Sequence, residues 1–418
     1  MLRSLRCAAG LLLLAACSRA PAPREESAGD SAAAAARMTG AASPSLRHAP
    51  PQATAPAVRP RPERCLPGEP YAPPSALALE AGGALGEEAN GRALACAEEA
   101  LRISPRLVTA LSARAGALSA LGRLEEARLA YARALAIDPN DRSALLGAAE
   151  LHVRQLGASR DALEVGLEYA LRGARVAAQP PRRDRELAGR LELVAGMAQN
   201  DLGRSDLALG HLERAIASLP GDPDAIYERG VALFELCRFD EARRSFERAL
   251  ALAPDDPWAL HQLGLLAERR GDRLRAESLL AKARDLAPGE FRTELAIDER
   301  AFQSELEAAV AELPDQERRA LALAPVEIGE LPEERDLLAV DPPLSPSILA
   351  LYRGPSLDER CAPGEGARCR SIVFYRRNLL RFVRSREELA REVRTTLLHE
   401  LGHLHGESDD ELRDRGLE

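Results

Sequence analysis

From about residue 74 to residue 290, apolar and polar positions recur with a period of 34. Alanines return at Ala208, Ala242 and Ala276 and again at Ala215, Ala249 and Ala283. Glycines fall at Gly196, Gly230 and Gly264, and prolines at Pro220, Pro254 and Pro288. A column of large apolar residues, Tyr131, Leu212, Phe246 and Leu280, keeps the same register. The spacing predicts one helical hairpin per period: Gly and Ala let the helices cross closely, the large residue fills the gap, and Pro ends the second helix. Asp222-Pro223 and Asp256-Pro257 supply an N-cap and a first-turn proline for the following helix. Another copy spans about residues 108–141, with Gly122, Ala127, Ala134 and Pro139 in register, and Ala100 with Pro105 marks a degenerate one before it. Pro139 and Pro220 are 81 residues apart, room for one regular repeat and one of 47, so an insertion is expected near residues 157–172.

These columns resemble the tetratricopeptide repeat, in about six units of which four are clear. The resemblance implies an all-α solenoid over residues 74–290 whose exposed concave groove takes a protein or peptide partner. Nothing in the repeats points to catalysis. His152, His211 and His261 stand singly on predicted helices and read as ordinary surface or satisfied residues.

After residue 290 the periodicity changes. Phe302, Leu306 and Val310 mark an amphipathic helix, Ile372-Val373-Phe374-Tyr375 an apolar strand, and a second helix runs from Glu387 into His399. On that helix Leu397, Leu401 and Leu404 lie on one side and His399 and His403 on roughly the other, so leucines can face a core while histidines face a cleft. The segment His399-Glu400-Leu401-Gly402-His403 has the spacing of a zinc hydrolase site. Two histidines four apart project from one helix face and can hold a single Zn²⁺, and the intervening Glu400 is placed to act as base.

Zinc needs a third protein ligand, and only fifteen residues follow His403. Gly406 permits the positive φ that turns the chain at a helix end, so a residue three further on can fold back toward the metal. Asp409 is the leading candidate, with Asp410 and Glu407 behind it.

The stretch from about Glu299 onward, including the Leu351-Tyr352-Arg353-Gly354 turn, is similar to a family of small zincin-like metallopeptidases with the signature H-E-x-x-H-x-x-G-x-x-D. The resemblance covers roughly the last 120 residues and implies an α+β zincin-like domain over residues 291–418. It carries the metal ligands over to His399, His403 and Asp409, and the base to Glu400. Relatives commonly place a second His directly after the motif; here Leu404 stands there and His405 one place later, so His405 is not counted as a ligand. Other zincins pair an extended peptide with a strand, a role expected here of residues 371–375, and Tyr352 and Tyr375 are the only guesses for a transition-state donor.

Arg3 and Arg6, an apolar run over residues 8–16 and the end Leu14-Ala15-Ala16-Cys17 resemble a bacterial lipoprotein signal over residues 1–17. Cys17 would be lipidated; the other reading is an ordinary secretory signal with an incidental Cys. Ser18 fits outer-membrane delivery if the host is Gram-negative. Residues 18–73 are rich in Ala, Pro, Ser and Arg, and the stretch to Pro74 holds twelve of the 29 prolines, a composition that reads as a tether.

In an envelope compartment, Cys361 and Cys369 are expected to form a disulfide closing a turn-rich loop, because their spacing is not C-x-x-C and no His lies nearby. Cys65 with Cys96 is a second possible pair, leaving Cys237 as a free thiol. A net charge of −9 and 3% aromatic residues argue against nucleic acid, and the Arg-rich runs 182–190 and 376–384 read as solvated faces.

Together these readings give a lipid-anchored envelope protein whose repeats recruit a partner and whose C-terminal domain is a zinc metallopeptidase. The alternative is an assembly or scaffold lipoprotein whose C-terminal domain binds metal for structure.

Overall fold

In a computed structural model, residues 84–157, 159–361 and 369–417 are described. The expected signal with Cys17, the tether and Cys65 lie outside them. Cys96 takes part in a disulfide whose partner is also outside. Among the described residues no helix is long and apolar enough to cross a membrane. Mostly helical hairpins are followed by a small region with a three-stranded mixed sheet.

The repeat helices form for the reasons their columns suggest. A Cβ at Gly196 would lie 2.5 Å from Leu212 Cγ, and one at Gly230 2.5 Å from Phe246 Cε1, so only glycine lets the two helices of these two hairpins approach this closely. Asp222 and Asp256 cap the helices Pro223–Glu235 and Pro257–Arg269, accepting from Ala225 N at 3.0 Å and Trp258 N at 3.2 Å. In the irregular repeat the extra length lies in the 19-residue helix Arg160–Ala178 and the loop after it, and Leu151–Gln155 winds as a π-helix. His152 rests against the Tyr169 ring, His211 pairs with Glu192 and His261 stacks on Phe291.

Packing divides the described residues into two compact units, the first holding the repeats up to Arg229 except the turn Gly203–Asp206, and the second that turn with Gly230 onward. Residues 230–290 therefore group with the C-terminal domain, whereas the sequence places the boundary at 290.

Within the second unit the strands β1 (Val326–Gly329), β2 (Ala350–Arg353) and β3 (Ser371–Tyr375) run in the order β1-β3-β2, with β3 parallel to β1 and antiparallel to β2. Alternation along β3 splits its side chains between two cores. Ile372 and Phe374 join Phe302, Leu306, Leu389, Val393, Leu397, Leu401 and Leu404 beneath the helices Glu299–Ala311 and Arg386–Leu404. Val373 and Tyr375 join Cys237, Leu337, Leu344, Ile348 and Leu351 on the other face.

Cys237 stands where neighbouring repeats have Gly203 and Gly271, and shares their positive φ at 56°. A non-glycine residue there is held by its surroundings: the Cys237 thiol donates to Leu344 O at 3.6 Å, and burial pushes its pKa up to about 12. Glu235, buried two residues earlier, has its carboxyl pushed up to about 7 by desolvation, with a hydrogen bond from Ser345 in opposition. The Arg-rich run 376–384 is not a solvated face, because Arg376 makes paired contacts to Glu330 at 2.9 Å, Arg377 reaches Glu294 at 3.1 Å and Arg381 bonds Glu268.

Candidate metal centre

The helix Arg386–Leu404 begins at Ser385, whose hydroxyl accepts from Glu388 N, and ends at His405. Its termination is a Schellman motif: Gly406 N donates to His403 O at 3.0 Å and Glu407 N to Gly402 O at 2.9 Å, with Gly406 at φ +89°. The chain then restarts at once. Ser408 caps the short helix Asp409–Asp414 and forms a capping box with Glu411, which puts Asp409 at the first helical position, facing back to the histidines.

The three donors meet. His399 Nε2 and His403 Nε2 are 3.0 Å apart, and Asp409 Oδ1 is 3.6 Å from the first and 3.3 Å from the second. Both histidines are 3% exposed. Of the alternatives, Asp410 is 86% exposed and pairs with Arg413, while the Glu407 carboxylate pairs with Arg415. Asp409 alone of the three acids joins the histidines among the described residues.

Each imidazole is oriented through its other nitrogen. His399 Nδ1 donates to Leu417 O and His403 Nδ1 to Glu407 O, which leaves both Nε2 atoms turned inward. Burial opposes protonation of His399, but the hydrogen bond to Asp409, the charge of Glu400 and the Leu417 carbonyl outweigh it, and its pKa is raised to about 9. His403 is raised against the same desolvation, chiefly by Asp409 and Glu400. Desolvation would raise Asp409, yet the two histidines bring it down to about 2. The cluster thus attracts positive charge.

Glu400 is 0% exposed, and among the described residues neither carboxylate oxygen has a hydrogen-bond partner. His405 stays outside the cluster, 2.8 Å from Glu317.

Two sequence expectations change. Residues 371–375 form the central strand, paired on both sides, so they cannot accept an added peptide strand. The Tyr352 hydroxyl donates to Pro355 O, and Tyr375 packs in the Cys237 cluster, so neither is placed as a transition-state donor. The sequence is silent on what orients the histidines: two backbone carbonyls, which no residue type announces. The S-x-x-E spacing of Ser408 and Glu411 is a readable sign that a helix begins at Asp409. Cys361 and Cys369 are joined by a disulfide, with Cα atoms 5.9 Å apart.

A family model described as zincin-like metallopeptidase matches residues 321–417, and tetratricopeptide-repeat models match residues 193–257 and 108–141. Among solved structures, the chain is similar to PilW, a widely conserved type IV pilus biogenesis factor, at 19% identity over 51% of this chain and 92% of that one, with TM-score 0.43. Pseudomonas aeruginosa pilF matches at 20% identity over 55% and 94%, with TM-score 0.42. YrrB, a tetratricopeptide protein with an unusual peptide-binding site, matches at 23% over 46% and 92%, with TM-score 0.36. No curated protein matches the chain. The chain therefore combines tetratricopeptide repeats with a C-terminal zincin-like metallopeptidase domain.

Proposed function

We propose that this is a zinc-dependent metallopeptidase whose repeats recruit a protein or peptide partner. The observation that carries the reading is Glu400: a wholly buried carboxylate with both oxygens unpartnered, on the same helix as two inward-turned imidazoles. Burying an unpaired carboxylate costs several kcal/mol, of order 1–3 even for a polar group short of one hydrogen bond, so its retention needs a functional reason. A purely structural metal site has no use for it.

The donor set fits zinc. Two neutral nitrogens and one carboxylate make a three-ligand set of the kind catalytic sites use. His399, His403 and Asp409 would hold the ion, and when bound it supplies Lewis acidity that activates water and polarises a carbonyl.

The chain's own groups do the rest. Glu400 takes the proton from the attacking water and returns it to the departing amine, with no competing hydrogen bond to break. In the neutral imidazoles that a metal requires, the Leu417 and Glu407 carbonyls hold the remaining proton on Nδ1, so the Nε2 lone pairs would face the ion.

Glu400→Gln is expected to bind zinc with wild-type stoichiometry while peptide hydrolysis falls by about 10²–10⁴-fold, the usual contribution of a general base. Metal analysis alongside a peptide-library cleavage assay checks this; a variant that loses its zinc or keeps full activity would show the role to be wrong.

The envelope location and lipid anchor belong to the same proposal and rest on the Cys17 pattern. Cys17→Ser should then move the protein from the membrane fraction to the soluble fraction. Equal labelling of both forms by a palmitate analogue would rule the anchor out.

A further inference from the structure

The donor set comes from two helices, and one contact decides how far apart they sit. Gly402 lies in the middle of the motif, beside His403 and one turn from His399. The side chain of Leu412, 0% exposed, rests directly on it. A Cβ added at Gly402 would lie 2.2 Å from Leu412 Cδ2, 3.2 Å from Leu412 Cδ1 and 2.9 Å from Glu407 Oε2, all inside or at the edge of forbidden contact. Leu412 is fully buried, so either it repacks against its neighbours or its helix gives way.

That helix carries more than Asp409. Leu412 sits three residues after Asp409, on the same face. Its own carbonyl accepts from Leu417 N at 3.0 Å, and Gly416 N donates to Arg413 O at 2.9 Å, a second Schellman turn with Gly416 at φ +72°. The turn aims the Leu417 carbonyl at His399 Nδ1. Leu412 therefore lies between the third donor and the carbonyl that orients the first.

Resting on the zinc reading above, we infer that Gly402 and Leu412 are positioning residues for the metal. Their contact sets both the distance of Asp409 from the histidines and the orientation of His399. Neither touches the metal or substrate. Residue 402 must be glycine for a reason separate from helix propensity, which disfavours it by about 1 kcal/mol relative to alanine.

The test measures zinc affinity of the full chain by chelator competition, beside thermal unfolding of the metal-free protein. Gly402→Ala is expected to weaken zinc about 10–100-fold, the range for residues that orient metal ligands, although it raises helix propensity. Adding Leu412→Ala removes the obstructing methyl groups, so the double variant should bind more tightly than Gly402→Ala alone.

Wild-type affinity in Gly402→Ala, or a double variant that binds zinc no more tightly than Gly402→Ala alone, overturns the inference. If Gly402→Ala fails to fold, Leu412→Ala alone decides. It should weaken zinc at least about tenfold while metal-free unfolding stays cooperative, and unchanged affinity would overturn the proposal. A wild-type protein that binds no zinc would instead defeat the zinc reading itself, so the two failures are distinguishable.

Discussion

His399→Ala and His403→Ala should each reduce zinc affinity by about a thousandfold or more. Zinc bound by protein ligands is held with roughly 10–16 kcal/mol, so one ligand of three accounts for about 4 kcal/mol, or close to three powers of ten. Asp409→Ala should fall in the same range, because Asp409 Oδ1 lies 3.3–3.6 Å from both Nε2 atoms. Asp410→Ala should change nothing, since its carboxylate is in water beside Arg413. Isothermal titration of chelator-stripped protein reads all four. Loss of zinc in Asp410→Ala with retention in Asp409→Ala would mean that the short helix docks differently.

The two histidine variants also differ in a useful way. His399 leans on a carbonyl eight residues past Asp409, whereas His403 leans on one within its own helix-ending turn. Disturbing residues 412–417 should therefore affect His399 and spare His403.

The convergence of His399, His403 and Asp409 was legible because it is local. The spacing of His399 and His403, the turn at Gly406 and the return of Asp409 depend on backbone geometry over eleven residues, and short-range rules fix that geometry. The 34-residue columns were legible for a related reason, since each pairs a glycine with a large residue sixteen places on, as in Gly230 with Phe246.

What was not legible is long-range. The pairing of β3 on both sides involves residues as far as 46 apart, as in Val326 with Ile372, and an apolar run alone cannot distinguish a central strand from an edge strand. Arg376, Arg377 and Arg381 look like any charged face until Glu330, Glu294 and Glu268 are brought to them. The one clue to this was Cys237. It interrupts a column of turn glycines, and a residue that tolerates an unfavourable φ must gain something from its side chain.

That gain bears on how the chain can be cut. A fragment of residues 291–418 follows the sequence boundary, and one of residues 222–418 starts at the Asp222 cap and keeps the repeats that group with the domain. The first should be largely unfolded, and the second should melt cooperatively and bind zinc. Removing residues 230–290 strips Cys237 and Phe239 from the face made by Leu351, Val373 and Tyr375, and takes Trp258 and His261 away from Phe291. Each fully buried apolar side chain returned to water costs about 1.5–3 kcal/mol. Four such residues, even half exposed, would forfeit roughly 3–6 kcal/mol, a large part of the about 5–15 kcal/mol that holds a domain together. Arg381 and Arg377 also lose Glu268, leaving partly buried guanidinium groups with fewer partners. Circular dichroism melts and zinc stoichiometry on the two fragments decide the matter. If residues 291–418 melt cooperatively at the same temperature as the longer fragment, the repeats after Gly230 serve only to bind partners. If they do not, the same two repeats brace the sheet on which the His399–His403 helix rests, and any partner that grips them acts on the zincin-like domain through a shared core.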